Sequence, residues 1–273
     1  MGMRLGCNSV VFAGRTALEA VGYVRAAGFA GVEFASIPGM AEHLAPGDVP
    51  GARETVAAAR EAGLDVPAIE AATDLFQPQA RERLYRVFDL AGQLGIPVVT
   101  TGSAGSSTPE SLQAFLPIAR DVARRAGGAG VRWACKPHVG AAVYSTQSAL
   151  DLVRAVDEPA LALNYDPTHL QRVGEDPAIA AAALAPHLCH VHIRDYSSPD
   201  LRIGPPELQT AGRGRIDLRG VAAALREAGY SGWLDLEIIG ASGWEPLRQM
   251  AIAAGSHGYL SRVLRQVEPE EGA

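Results

Sequence analysis

Polar and ionisable side chains gather at the ends of short apolar runs in this chain, and their types define the chemistry open to it. Lys136 and His138 follow the run Val131–Cys135, and Asp166 and His169 follow Leu161–Tyr165. His190, His192 and Arg194 alternate along the next run, and Glu237 lies near the end of the last. Asn8, Glu33 and Glu70 hold similar places on earlier runs. Carboxylates and imidazoles brought together from separate strands can bind a divalent cation or carry a proton to and from a carbon beside a carbonyl. Lys136 adds an amine. It is the only lysine among 24 lysine and arginine residues, and an amine at a strand end can serve as acid, base or Schiff-base nucleophile.

These groups act together only if the backbone makes them converge. Eight short apolar runs recur: Arg4 to Val10, Gly31 to Phe34, Val66 to Ile69, Val98 to Thr101, Arg132 to Cys135, Leu161 to Tyr165, His190 to Ile193 and Trp233 to Ile238. Each is followed by a longer stretch of helical periodicity, such as Arg15 to Ala27, Gln79 to Leu94 or Pro109 to Ala126. Gly28, Gly63, Gly95 and Gly229 stand where helices must stop, and Pro109 and Pro246 suit first helical turns. Eight strand–helix units in 273 residues match a single (β/α)8 barrel, whose usual size is ~250 residues. An open doubly wound sheet is the competitor, but no G-x-G-x-x-G follows the first run, so no nucleotide cofactor is expected. In a barrel the chemistry sits at the C-terminal ends of the strands, where the residues above fall. Strand alternation places His190, His192 and Arg194 on one face.

The remaining features are exclusions. A net charge of −6 and a pI near 5.7 argue against nucleic acid as a partner, because phosphate binding needs a basic face. No run approaches the ~18 apolar residues of a membrane span, and the start of the chain shows no secretion signal. Cys7, Cys135 and Cys189 lack zinc-type spacing and are expected to be reduced, buried thiols of a cytoplasmic protein. Asp74, Ser103 and Asp217 are expected to be caps or loop anchors, and His43, His187 and His257 surface or packing residues. Residues 1–273 are expected to form one domain, with a frayed acidic tail from Glu268 to Ala273.

Four segments carry a resemblance. Asn164-Tyr165-Asp166-Pro167-Thr168-His169-Leu170, His190-Val191-His192-Ile193-Arg194-Asp195, Gly212-Arg213-Gly214-Arg215-Ile216-Asp217 and Leu236-Glu237 are similar to the motifs of the xylose isomerase-like TIM-barrel superfamily. That group includes sugar isomerases and epimerases, inosose dehydratases and hydroxypyruvate isomerases. The resemblance implies a small polyhydroxy carbonyl substrate and a divalent metal (Mn, Mg, Co or Zn) held by a glutamate on the fifth strand together with Asp166, His192 and Glu237. It also implies substrate contacts from His169, Arg194 and Arg213, with Asn8, Glu33 and Glu70 as further candidates. Two glutamates would shuttle the proton while the metal stabilises the enediolate. Barrels of this kind often pair, so a homodimer is a further expectation.

The fifth strand departs from the pattern. Where the family has Glu-Pro-His, this chain has Lys136-Pro137-His138. An ammonium has no lone pair for a metal, and it repels a dication by several kcal/mol at ~4 Å and an effective dielectric near 20. The simplest reading is that Lys136 takes part of the metal's place and pairs with Glu237 or Asp166. Three functions follow. The first is proton transfer on a keto-sugar or polyol derivative, with Lys136, Glu237 and His138 as catalytic groups. The second is a lyase or dehydratase in which Lys136 acts as amine base or Schiff-base nucleophile. The third is a barrel that binds without catalysing, its site frozen by an ion pair.

Overall fold

Eight parallel strands close on themselves in the computed structural model, which describes residues 2–197 and 202–268. The strands are β1 (Arg4–Asn8), β2 (Gly31–Ile37), β4 (Ala68–Glu70), β5 (Val98–Thr101), β6 (Arg132–Cys135), β7 (Leu161–Tyr165), β8 (Leu188–Ile193) and β9 (Trp233–Leu236). A two-residue strand, β3 (Ala41–Glu42), pairs antiparallel with the end of β2. β1 pairs with both β2 and β9, which closes the barrel. Helices follow the strands and cover the outside, so this is the expected (β/α)8 barrel. The acidic tail lies outside the described residues from position 269 onward.

Local sequence explains the helix ends. Thr16 and Glu19 form a reciprocal capping box, and Asp48, Thr108, Asp176 and Asp217 cap later helices with their side chains. Pro109 and Pro246 occupy first turns, and Gly28, Gly63, Gly95 and Gly229 take left-handed conformations where helices stop. Strand limits differ from the apolar runs. Asn8 Oδ1 accepts from the Val10 N–H at 2.8 Å and starts a short 3-10 helix, Ser9–Phe12, which ends β1 early. β2 runs on to Ile37, and β9 stops at Leu236, leaving Glu237 just past its end.

Outward-facing Ile69, Val99 and Trp133 join the main core under the helices, while inward-facing Ala68, Val98 and Ala134 form a small separate cluster. Barrel interiors are commonly filled by bulky branched residues. Here Glu33, Thr100, Asn164, His190 and Asp235 are at most 1% exposed, so much of the filling is polar. Small residues make the space. Gly6 pairs with Asp235 across β1 and β9, and a Cβ there would come within 1.8 Å of Asp235 Oδ1. The β7–β8 register shifts between Leu163 and Asn164, placing Asn164 opposite His190 and turning His190 and His192 inward.

All three cysteines are free, with Cys7 and Cys135 buried and Cys189 partly buried. No helix among the described residues is long and apolar enough to cross a membrane.

Candidate active site

A cleft of about 660 Å³ opens at the C-terminal ends of the strands. Glu70, Lys136, His138, His169, Arg194 and Glu237 reach it from five different strands or the loops after them. Its lining also includes Asp74, Arg172 and the aliphatic side chains of Ile37, Met40, Ile203 and Ile239.

Lys136 is the hub. Its Nζ lies 3.0 Å from Glu237 Oε1, 3.0 Å from His192 Nδ1 and 3.5 Å from Glu70 Oε1, and the residue is 5% exposed. Burial alone favours the neutral amine, but the carboxylates of Glu237, Glu70 and Asp166 outweigh it and hold the ammonium above the ordinary lysine range. Burial also opposes ionisation of Glu237, yet Arg194 and Lys136 keep that carboxyl well below its usual value. Glu70 behaves differently. Burial and the neighbouring Glu237 push it up to about 7, against the pull of Lys136.

Asp166 belongs to a second pair. One oxygen accepts from the Thr168 N–H and hydroxyl at 2.8 and 2.6 Å, capping the helix Pro167–Arg172, and the other accepts from Arg194 Nη2 at 2.8 Å. The same Nη2 is 2.9 Å from Glu237 Oε2 but out of line for a hydrogen bond. Lys136 therefore pairs with Glu237 and Glu70, and the alternative pairing with Asp166 is not formed. His138 and His169 stack with ring centres 4.0 Å apart. His138 Nδ1 meets the Val139 carbonyl at 2.8 Å, so Nδ1 donates and Nε2 carries the lone pair. Burial and Lys136 push His138 down to about 4, and burial, His138 and Arg194 push His169 well below its usual value. Both rings are neutral near pH 7.

Asn8 and Glu33 lie beneath the cleft floor, fully buried and not in its lining. Asn8 Nδ2 donates to Glu33 Oε2 and Glu70 Oε2, each at 2.8 Å, and the Thr100 hydroxyl donates to Glu33 Oε1 at 2.9 Å. These bonds occupy their polar groups, and the structure places neither residue in the cleft lining where substrate contact was expected. Arg213 is exposed and outside the cleft, because Asp195 ties its loop back through the Gly212 and Ile216 N–H groups. Asp217 and Ser103 are the expected cap and anchor. Asp74 accepts from the Phe76 N–H as an anchor does, but it also lines the cleft. Arg172 reaches the cleft unforeseen, although it sits one helical turn after His169, a spacing visible in the chain.

The donor set does not fit the metal centre that the resemblance implies. Two groups of buried donors among the described residues come close enough to share an ion, Glu70–His192–Glu237 and Glu33–His190–His192, and Asp166 is in neither. In the first, Lys136 Nζ stands 3.0 Å from both His192 Nδ1 and Glu237 Oε1, in the space an ion bound by those atoms needs. In the second, His192 Nε2 and Glu33 Oε2 are joined at 2.6 Å by their own hydrogen bond.

Residues 21–258 match the model of the xylose isomerase-like TIM barrel family. The chain belongs to that family. It is 30% identical over 112 residues to an inosose dehydratase of Clostridium tetani, covering 37% of this chain and 38% of that protein. An inosose dehydratase of Lacticaseibacillus casei is 25% identical over 125 residues, 41% of this chain and 42% of its own. The matches thus span about two fifths of the length of these relatives. Among solved structures, a fusion of a xylose isomerase-like TIM barrel with a 4-hydroxyphenylpyruvate dioxygenase superposes with a TM-score of 0.77 at 22% identity, covering 98% of this chain and 43% of the fusion. D-allulose 3-epimerase from Methylomonas sp. in complex with D-allulose gives a TM-score of 0.74 at 18% identity, covering 96% of this chain and 97% of that one. At such identities the shared feature is the fold.

Proposed function

We propose that this chain is an enzyme that moves a proton on the carbon beside a carbonyl of a small polyhydroxy ketone, with the Lys136 ammonium supplying positive charge where the family resemblance implies a metal. One observation carries the reading: at the cleft floor Lys136 Nζ sits 3.0 Å from Glu237 and from His192, with Glu70 alongside at 3.5 Å. A substrate carbonyl oxygen set against Lys136 and Arg194 gains a preorganised cationic partner for the negative charge that develops on enolisation. Glu70, with its pKa pushed up to about 7, is the base. A carboxylate tuned towards the working pH combines an available ionised form with useful proton affinity. Glu237, held anionic, keeps Lys136 charged and aimed. His138 Nε2 accepts a hydrogen bond from a substrate hydroxyl.

Return of the proton to the same or a neighbouring carbon gives an epimer or isomer. Expulsion of a β-hydroxyl from the same enediolate, leaving as water with the proton that Glu70 took, gives dehydration, and the similarity to inosose dehydratases over part of the chain favours keeping this second outcome. The Schiff-base route needs a neutral amine, which the Glu237 and Glu70 carboxylates oppose.

The test is solvent exchange. The protein is incubated in D2O with D-allulose, related ketoses and inososes, with a chelator present, and followed by NMR. Deuterium should appear beside the carbonyl, the chelator should not stop it, and Lys136→Met should. A conjugated, ultraviolet-absorbing product would mark the dehydratase outcome. Absence of exchange with every candidate, or exchange abolished by the chelator, would sink the proposal.

A further inference from the structure

We infer that Glu33 is a positioning residue, fixing through His192 the lone pair that aims the Lys136 ammonium into the cleft. The inference rests on the role given to Lys136 above.

His192 is held at both ring nitrogens, with Nε2 2.6 Å from Glu33 Oε2 and Nδ1 3.0 Å from Lys136 Nζ. An ionised carboxylate only accepts hydrogen bonds. The other two bonds to Glu33 come from Asn8 Nδ2 and the Thr100 hydroxyl, which both donate to it. The Nε2–H of His192 therefore donates to Glu33, and the Nδ1 lone pair faces Lys136. Burial and the Lys136 ammonium oppose a second proton on the ring, while Glu33 and Glu237 favour it and push its pKa up to about 10. That proton would set an N–H against an ammonium at 3.0 Å, so the geometry requires a lone pair at this contact.

The ammonium has three N–H bonds. One goes to His192 and one to Glu237. The third has only the long 3.5 Å approach to Glu70 and is left for a substrate oxygen. Below, Asp235 Oδ2 and Glu33 Oε2 lie 3.2 and 3.5 Å from His190 Nε2. His190 Nε2 hydrogen-bonds to neither oxygen, so of the two rings only His192 is hydrogen-bonded to Glu33. The order is carboxylate, imidazole, ammonium. Glu33 does not line the cleft, so it acts through the residues it holds, His192 directly and Glu70 by way of Asn8, and the ring signature separates the two.

The first measurement is histidine 15N NMR on the wild-type protein, with His192 assigned by comparison with His192→Gln. The expected pattern is a neutral ring protonated at Nε2. A ring protonated at Nδ1, protonated at both nitrogens or bound to a metal overturns the inference. The second is Glu33→Gln, whose amide can donate to Nε2 and so reverse the ring's tautomer. Proton exchange should then fall about 10- to 100-fold in kcat with KM changed less than about threefold, a size typical of losing a partner that orients a reacting group. Thr100→Val, which removes a bond to Glu33 but keeps its charge, should keep both the tautomer and most of the rate. If Glu33→Gln folds and keeps the wild-type ring signature, the inference fails. The ring signature is read without substrate, so failure to find a substrate would count against the proposed reaction and leave this result intact.

Discussion

Lys136 Nζ and Glu237 Oε1 stand 3.0 Å apart with both residues at most 5% exposed, at the point where the family resemblance implies a carboxylate and a metal. Changing Lys136 to Glu removes the competing cation and leaves three buried donors around it, Glu70, His192 and Glu237. Lys136→Glu is expected to gain binding of Mn, Co or Zn, seen as stoichiometric metal after desalting. Its melting temperature should rise with added metal, as stabilisation of roughly 3 kcal/mol at a hundredfold excess over Kd requires. If no ion binds this variant, the remaining donors are not arranged as a metal set.

Lys136→Met should be costly in two separate ways. It leaves Glu237 and Glu70 without the ammonium, and breaking a buried pair from one side destabilises by about 3–5 kcal/mol. Arg194 still neighbours Glu237 and places the effect at the lower end. Loss of a preorganised charge partner should also cost at least ~100-fold in the exchange rate. Chemical denaturation and solvent exchange read the two effects independently.

Glu70 sets the pH response. Its folded pKa of about 7 stands above the ~4.3 of an unfolded glutamate. Its stabilising contribution is therefore full below pH ~4 and is lost as pH rises through 7. Glu70→Gln, which mimics the protonated form, should be at least as stable as wild type at pH 8, by about 1–3 kcal/mol, with the gap closing towards pH 5. Exchange by the wild type should rise with pH through about 7 as the base form fills, and the variant should lose that rise along with most of its rate. A flat wild-type profile would move the base role elsewhere.

Gly6→Ala tests the polar interior. The new Cβ would sit 1.8 Å from Asp235 Oδ1 and 2.8 Å from its Cγ, in a part of the interior where Asp235 is fully buried. Overpacking of this kind costs about 1–3 kcal/mol or more. The double variant Gly6→Ala with Asp235→Ala should recover part of that loss, because the clash partner is gone. Additive losses in the two variants would show that the contact does not govern the cost.

Arg172 and Arg213 divide the expectations about substrate contact. Arg172 lines the cleft one turn from His169, whereas Arg213 is exposed on a tethered loop. Arg172→Ala should raise KM about 10- to 100-fold, an amount comparable to one charge-assisted hydrogen bond of roughly 1.5–3 kcal/mol. Arg213→Ala should leave KM within about twofold.

Much of this site was legible in the chain because period-2 alternation and strand-end position say which side chains face inward and upward. Lys136, His138, His169, Arg194 and Glu237 were located that way. Asn8 and Glu33 satisfied the same rule yet lie under the floor. Their depth depends on how far each strand is staggered against its neighbours, and a residue's place along its own strand carries no trace of that stagger. The β7–β8 register shift is of the same kind. It decides that His190 comes within 3.2 Å of Asp235, and no pattern within either strand encodes it.

By itself the chain determined the eight-unit barrel, its helix caps and stops, and the presence of an ammonium in place of a family carboxylate, because these follow from local periodicity, backbone preference and residue type. Tertiary structure alone decided which partners that ammonium takes. His192 and Glu237 reach Lys136 within 3.0 Å from β8 and from just beyond β9, while Arg194 draws Asp166 away at 2.8 Å. Such choices depend on distances between residues up to 101 positions apart. Only closure of the barrel sets those distances.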